Sequence, residues 1–367
     1  MNASPPAGRI PLKRLAPEAL EDWLAARVEP AWRRRAVKQW IFARGAFAWD
    51  AMSDLPRGLR EALAAEASLV SLAPVLATPS AQDGSVKHLL RLADGETIEA
   101  VHMQGERHPT FCISSQVGCP LDCVFCETGR MGFRRNLEQD EILDQVLFLQ
   151  QALPPDSARP NLVFMGMGEP LLNFGPLVGA LRLLGETLGY GGRRITVSTA
   201  GLPGRIAELA AAPVKVGLAL SLNAADDATR AALMPALHKH RIADLLAACA
   251  DYARRTERRV TLEYVLIAGV NDRDEDAANL RALTRRRPFK LNIIPYNPGA
   301  TRVRVALPGA RQAELARPTP EQVERFVGRL VPGVPGVTVR WSQGVDVGGG
   351  CGQLRGLQSG GRARGSR

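Results

Sequence analysis

Cys119-Pro120-Leu121-Asp122-Cys123-Val124-Phe125-Cys126 is the stretch on which the reading of this sequence turns. Three thiols fall within eight residues, directly after an apolar run at 111–114 that reads as a strand. The chain has six cysteines in 367 residues, and its opening Met1-Asn2-Ala3-Ser4-Pro5-Pro6 lacks the apolar core of a secretion signal. Such a chain is expected in the cytoplasm, where thiols stay reduced, so metal binding or catalysis is a better reading than a disulfide framework. A structural zinc site wants four closing ligands, usually in two pairs. No second Cys-x-x-Cys or His-x-x-x-His pair occurs, and His238 and His240 flank Lys239 without a partner pair. Three thiolates on one short loop can instead hold three irons of a 4Fe-4S cluster, with the fourth iron left open to a small molecule. A zinc-stabilised RNA-binding protein without catalysis stands as the rival from another class.

Outward from this loop, apolar strand candidates at 111–114, 161–165, 194–199, 215–221, 260–267 and 290–294 alternate with amphipathic helical stretches. That alternation predicts an α/β fold with a parallel sheet, and if the sheet curls into a barrel its site belongs at the carboxyl ends of the strands. The helix after the cysteine loop reads with Asn136 as N-cap, Gln139 three residues on, and Ile142, Leu143, Val146 and Leu147 facing inward. On the amino-terminal side, residues 87–101 read as a hairpin turning at Asp94-Gly95. Residues 1–82 read as helical, with Arg33, Arg34, Arg35, Lys38 and Arg44 beside Trp32 and Trp40, a face suited either to phosphates or simply to solvent. The expected domains are therefore 1–82, a helical accessory unit that binds RNA; 83–105, a hairpin linker; 106–341, the barrel; and 342–367, a Gly-rich flexible segment. No apolar run approaches the ~20 residues that cross a bilayer. The balance of 47 Lys and Arg against 37 Asp and Glu, a net +10, suits a polyanionic partner without proving one.

The remaining motifs carry a resemblance. Ser114-Ser115-Gln116-Val117-Gly118-Cys119, Gly129-Arg130-Met131-Gly132-Phe133, Gly166-Met167-Gly168-Glu169-Pro170-Leu171-Leu172-Asn173 and Cys351-Gly352-Gln353-Leu354, with Asp54-Leu55-Pro56 near Trp40, cover nearly the whole chain. In these runs the sequence resembles the radical S-adenosylmethionine (SAM) superfamily and, within it, the RlmN/Cfr family of RNA adenine methyltransferases, closest to the RlmN branch. The resemblance implies a partial (β/α)6 radical SAM barrel with a small helical amino-terminal domain and a flexible carboxyl-terminal segment. It implies a 4Fe-4S cluster on Cys119, Cys123 and Cys126, and a SAM pocket formed by Gly168, Glu169, Ser198, Ser221, Leu222, Asn223 and Asn297. Glycines after a strand let backbone approach a ligand, and Glu169 can accept from the amino group of methionine.

What the resemblance implies for chemistry is a two-step transfer using two SAM molecules per turnover. Cys351 first takes a methyl group; a radical then forms on that methyl and adds to the adenine ring. Glu99 is the implied proton acceptor, and Cys112 the thiol that resolves the protein–RNA linkage as a disulfide. Implied partners are 23S ribosomal RNA, transfer RNA, and an electron donor such as flavodoxin or ferredoxin; no membrane is implied, and the chain is expected to be a monomer. Carbon 2 of adenine is the expected target, with carbon 8 the alternative of the Cfr branch. The sequence departs from the family at Asn223, where histidine is common, and at Gly348-Gly349-Gly350, where two alanines usually precede the cysteine. Cys249, on an apolar helix face, reads as core.

Overall fold

A computed structural model of the chain describes residues 8–356 apart from 155, 286, 332 and 335. Its centre is a ten-stranded sheet: β1 (Leu72–Pro79), β2 (Val86–Leu92), β3 (Thr97–Met103), β4 (Thr110–Cys112), β5 (Asn161–Phe164), β6 (Ile195–Thr199), β7 (Gly217–Ser221), β8 (Val260–Leu266), β9 (Phe289–Pro295) and β10 (Val337–Val339). The strands lie in the sheet in chain order. Every neighbouring pair from β4 to β10 is parallel, and β1 to β4 run antiparallel. All six strands expected from the sequence are present, and the short β10 extends them.

Parallel strands joined by helical crossovers are covered on one face by those helices, so each strand alternates between an outward apolar face and an inward one. On β8, Leu262, Tyr264 and Leu266 are buried against the helices, whereas Thr261, Glu263 and Val265 take the opposite face. Tyr264 stacks on Phe326 with ring centroids 5.9 Å apart. The helix Gln139–Gln151 buries Ile142, Leu143, Val146 and Leu147 as expected. Its cap differs: Glu138 is the N-cap, and its N–H donates to the Glu141 carboxylate at 2.8 Å, so the helix starts two residues later than Asn136 would start it. Asn136 is occupied elsewhere, accepting from the Gln116 amide at 2.8 Å.

The expected hairpin is part of the main sheet rather than a linker beside it, and β1, inside the stretch read as helical, is its edge strand. Pro74 and Pro79 disguised this strand. Proline cannot donate to a ladder, but an edge strand has one side unpaired, and a register shift between Pro74 and Leu76 absorbs the irregularity. The helices Pro17–Ala25, Ala31–Lys38 and Arg57–Glu66 form the amino-terminal unit. Within it Trp32 is 51% exposed rather than buried beside Val37 and Ile41. Lys38 and Arg34 pair with Glu21, while the guanidinium of Arg44 stacks 4.0 Å from the Trp40 ring.

This unit is fastened to the barrel by a buried ion pair. Lys13 and Asp144 are in direct contact with side chains 1% and 0% exposed. The second Asp144 oxygen accepts from the Ser71 N–H at 2.8 Å and its hydroxyl at 2.6 Å. Both carboxylate oxygens are thus used to hold the amino-terminal unit. Asp144→Ala leaves the Lys13 ammonium buried without its anion, and should lower unfolding stability by about 3–5 kcal/mol in urea titration.

Candidate active site

The carboxyl ends of β5 to β9, the cysteine loop and the stretch around Cys351 line one cavity of about 150 Å3. Two close backbone approaches shape its wall. Gly118, φ +74°, lies so tightly on the Gly132 carbonyl that any β-carbon there would collide. Gly168, φ +98°, would place a β-carbon 2.5 Å from that of Gln116. In return the Gln116 side chain accepts from the Glu169 N–H at 2.8 Å, and the N–H groups of Ser115 and Gln116 donate to the Met167 carbonyl. The cysteine loop and the Gly-Met-Gly-Glu turn are thereby locked together.

Cys119, Cys123 and Cys126 line the cavity. Burial pushes the Cys119 thiol up to about 12 and raises Cys123 and Cys126, and for Cys123 the charges of the other two add to the rise. Gly168, Glu169, Ser198, Ser221, Asn223 and Asn297 share the wall. Leu222 does not: it is fully buried, its N–H donating to the Glu263 carbonyl at 2.9 Å and its carbonyl accepting from Arg230 at 3.2 Å. Glu169 accepts from the N–H groups of Ala200 at 2.7 Å and Leu171 at 3.1 Å, yet burial still lifts its carboxyl to about 7. Asn223 has φ +60°, a left-handed conformation that asparagine tolerates better than most side chains, and its Oδ1 accepts from the Val265 N–H at 3.0 Å. The departure at this position thus has a backbone reason.

Cys351 also lines the cavity. The stretch that carries it, expected to be flexible, is over 342–356 tied down on several sides. Gly344 N–H donates to Asp83 at 2.7 Å, Asp346 accepts from the Ser80 hydroxyl at 2.7 Å, and the Gly352 carbonyl accepts from Glu127 N–H at 2.8 Å. The Gln353 amide donates to the Pro298 carbonyl at 3.0 Å, and Asn297 reaches both Ser342 and the Cys351 carbonyl. Long-range hydrogen bonds, invisible in a glycine-rich sequence, do this. The residues from 357 onward, included in the flexible segment by sequence, lie outside the described residues.

Cys112 is buried on β4, its thiol pushed up to about 12 by burial and next by the charge of Cys351. Both are free thiols. Glu99 on β3 is not on the cavity wall. It pairs with Lys87 at 3.1 Å and accepts from the Arg355 N–H at 2.9 Å, anchoring the stretch beyond Cys351. Cys249 is fully buried in the core, as expected.

Comparison with known proteins accounts for this arrangement. A model of the radical SAM superfamily matches residues 113–281, and one of the ribosomal RNA large subunit methyltransferase N-terminal domain matches 10–69. A Thermus thermophilus protein named probable dual-specificity RNA methyltransferase RlmN is 43% identical over 348 residues, 94% of this chain and 92% of its own length. Its namesake from Synechococcus elongatus is 41% identical over 95% of this chain and 94% of its own. The crystal structure of a radical SAM methyltransferase from Sphaerobacter thermophilus superposes with a TM-score of 0.87 at 40% identity, covering 94% of this chain and 99% of that one. The chain belongs to the RlmN family of radical SAM RNA methyltransferases.

Membership of this family implies a 4Fe-4S cluster and SAM, and the residues present fit both. Cys119, Cys123 and Cys126 are half-buried, and the charges of the first and last disfavour ionisation of Cys123 while Arg230 lowers it, so the three form a set that iron can hold deprotonated. The buried carboxylate of Glu169 and the polar wall from Ser198 to Asn297 suit an amino acid headgroup. Three charged residues escaped the sequence reading. Arg230 is buried and donates to the carbonyls of Ala200 and Leu222. Glu263, raised by burial, accepts from Asn292 at 2.7 Å. Arg340 donates to the sulfur of Met165 at 3.3 Å, and its charge is favoured chiefly by Cys351. Each sits in a segment with no motif of its own; only an inward position on a strand could have flagged Glu263.

Because the Glu169 carboxyl titrates near 7, its anionic form, the one that attracts an ammonium, is lost as pH falls below that value. SAM affinity, measured by equilibrium dialysis on reconstituted protein, should therefore weaken by roughly tenfold per pH unit below about 7 and level off above it. Glu169→Gln should bind SAM weakly with a flat profile.

Proposed function

We propose that this protein methylates carbon 2 of an adenosine in RNA, in 23S ribosomal RNA at the peptidyl transferase centre and in the anticodon loop of transfer RNA, through a methylated Cys351. The observation that carries this reading is the placement of Cys351 on the wall of the same cavity as Cys119, Cys123 and Cys126, within electrostatic reach of Cys112. Carbon 2 of adenine is electron-poor, so direct displacement of a SAM methyl by that carbon is unpromising, and a relay through sulfur plus a radical step removes the difficulty. When bound, the cluster and SAM supply the electron, the methyl group and the hydrogen-abstracting fragment.

The protein's own groups divide the rest. The Cys351 sulfur accepts the methyl group and presents it; its position is set by Asn297, Gln353 and the contact of Gly352 with the cysteine loop. Glu99 is the proton acceptor of this reading, joined to the Cys351 stretch through the Arg355 N–H. The Cys112 sulfur gives up its proton and attacks that of Cys351, the bond from Cys351 to the base-linked carbon breaks with its electron pair going to that carbon, which takes up a proton, and an external dithiol reduces the resulting disulfide by two electrons before the next turnover. An acidic electron donor such as flavodoxin or ferredoxin completes the cycle.

Cys351→Ala should abolish RNA methylation while leaving the visible absorbance of the reconstituted cluster intact; methylation at the wild-type rate would refute the relay. Cys112→Ala should accumulate RNA covalently bound to protein, seen as a retarded band on a denaturing gel. Mass spectrometry of nucleosides from RNA treated with the wild-type protein tests the carbon: 2-methyladenosine is expected, and 8-methyladenosine would transfer the reading to the other branch of the family.

A further inference from the structure

The bore of the barrel has a second mouth. At the amino-terminal ends of the strands, Thr110 on β4, Asn161 and Val163 on β5 and Thr196 on β6 line a polar cavity of about 470 Å3. Two residues further along the same faces, Met165 and Ser198 line the upper cavity instead. One pleat repeat is ~6.6–6.8 Å, so the two cavities are halves of one bore divided by a single layer of side chains.

Both the redox thiol and a buried cation belong to that layer. Cys112 follows Thr110 by one pleat and is the register partner of Val163. Arg340 lines the lower cavity, and its guanidinium donates upward to Met165. The upper mouth, by contrast, is roofed. The Gly352 carbonyl is bonded to Glu127, the Leu354 carbonyl accepts from the Thr128 hydroxyl at 2.5 Å, and Gln353 is bonded to Pro298.

The lower mouth is strongly basic. A neighbouring cavity of about 1020 Å3 shares Arg193 and Thr196 with the first and is walled by Lys215, Arg255, Arg259 and Lys290, with Glu257 the one carboxylate among its described residues. Arg193, Lys215, Arg259 and Lys290 are exposed, and among the described residues none has a carboxylate within ion-pair distance. Trp341 is 46% exposed on the rim of the lower cavity, with the Arg317 guanidinium 5.7 Å from its ring. Unneutralised cations beside an exposed aromatic ring match the phosphates and base faces of single-stranded RNA.

We propose that RNA docks on the amino-terminal face of the barrel, its phosphates on Arg193, Lys215, Arg259 and Lys290, and that the target base passes up the bore to the Cys112–Cys351 layer. This rests on the reading of the protein as an RNA methyltransferase. An acidic electron donor fits the same charge but not the place: strands of five to seven residues, about 17–23 Å, separate this face from the cluster cysteines.

The test is the full-length reconstituted variant Arg193→Gln/Lys215→Gln/Arg259→Gln/Lys290→Gln, compared with the wild type for binding to a substrate RNA fragment across a salt series. Visible absorbance and SAM affinity, which these exposed positions do not touch, report that the variant is folded and loaded. At 0.1 M salt RNA affinity should fall at least about tenfold, and the slope of log K against log salt should shrink by roughly 0.7–0.9 for each phosphate no longer neutralised. An unchanged affinity and slope would overturn the docking surface, as would normal RNA binding with slowed reduction by an acidic donor protein. Wild-type protein that neither binds nor methylates RNA would instead overturn the underlying reading, a result distinguishable without the variant.

Discussion

The site depends on backbone meeting backbone at Gly118 and Gly168. Neither approach leaves room for a β-carbon, and both residues adopt φ values that glycine takes without strain. The consequence is that the cysteine loop, which follows β4, and the Gly-Met-Gly-Glu turn, which follows β5, share one hydrogen-bonded wall through Gln116. Everything polar in the upper cavity is aimed from that wall or faces it. Asn173 reinforces it from behind, its amide donating to the carbonyls of Ser115 and Leu137.

A bore lined with charge is costly, and the fold offsets the cost locally. Glu169 is satisfied by two N–H groups, Arg230 by two carbonyls, and Glu263 by Asn292, which in turn accepts from the Thr338 hydroxyl. Arg340 is the exception. Its guanidinium donates to a thioether, a weak acceptor, and its main electrostatic partner is the Cys351 thiol.

The amino-terminal unit and the Cys351 stretch close the barrel from opposite directions in the sequence. Lys13, Ser71 and Asp144 bring one in, and Asp83, Asp346, Glu99 and Arg355 bring the other. Gln343 bonds to the Gln104 carbonyl at 2.8 Å, bridging the open edge of the sheet between β10 and β3. The hairpin is therefore a structural member of the barrel. It carries Asp83 and Glu99, which anchor the Cys351 stretch, although none of its residues lines the upper cavity.

The sequence by itself determined the alternation of strands and helices, and it singled out Cys119, Cys123, Cys126 and most of the polar residues that share one cavity wall, because each is local: a period of two or 3.6, a spacing within one loop, or a short run at a strand end. The roles of Cys351 and Cys112 came from resemblance and belong to the proposed function. It misread β1, whose prolines make sense only once the strand is known to be an edge, and it took 342–356 for a flexible tail because its glycines say nothing about distant partners such as Asp83 and Glu99. Arg340 and Glu263 gained meaning only when the parallel register turned them into the same bore. Which residues share a wall is decided by strand order and register, and those are fixed by burial summed over the whole chain; no single segment contains them.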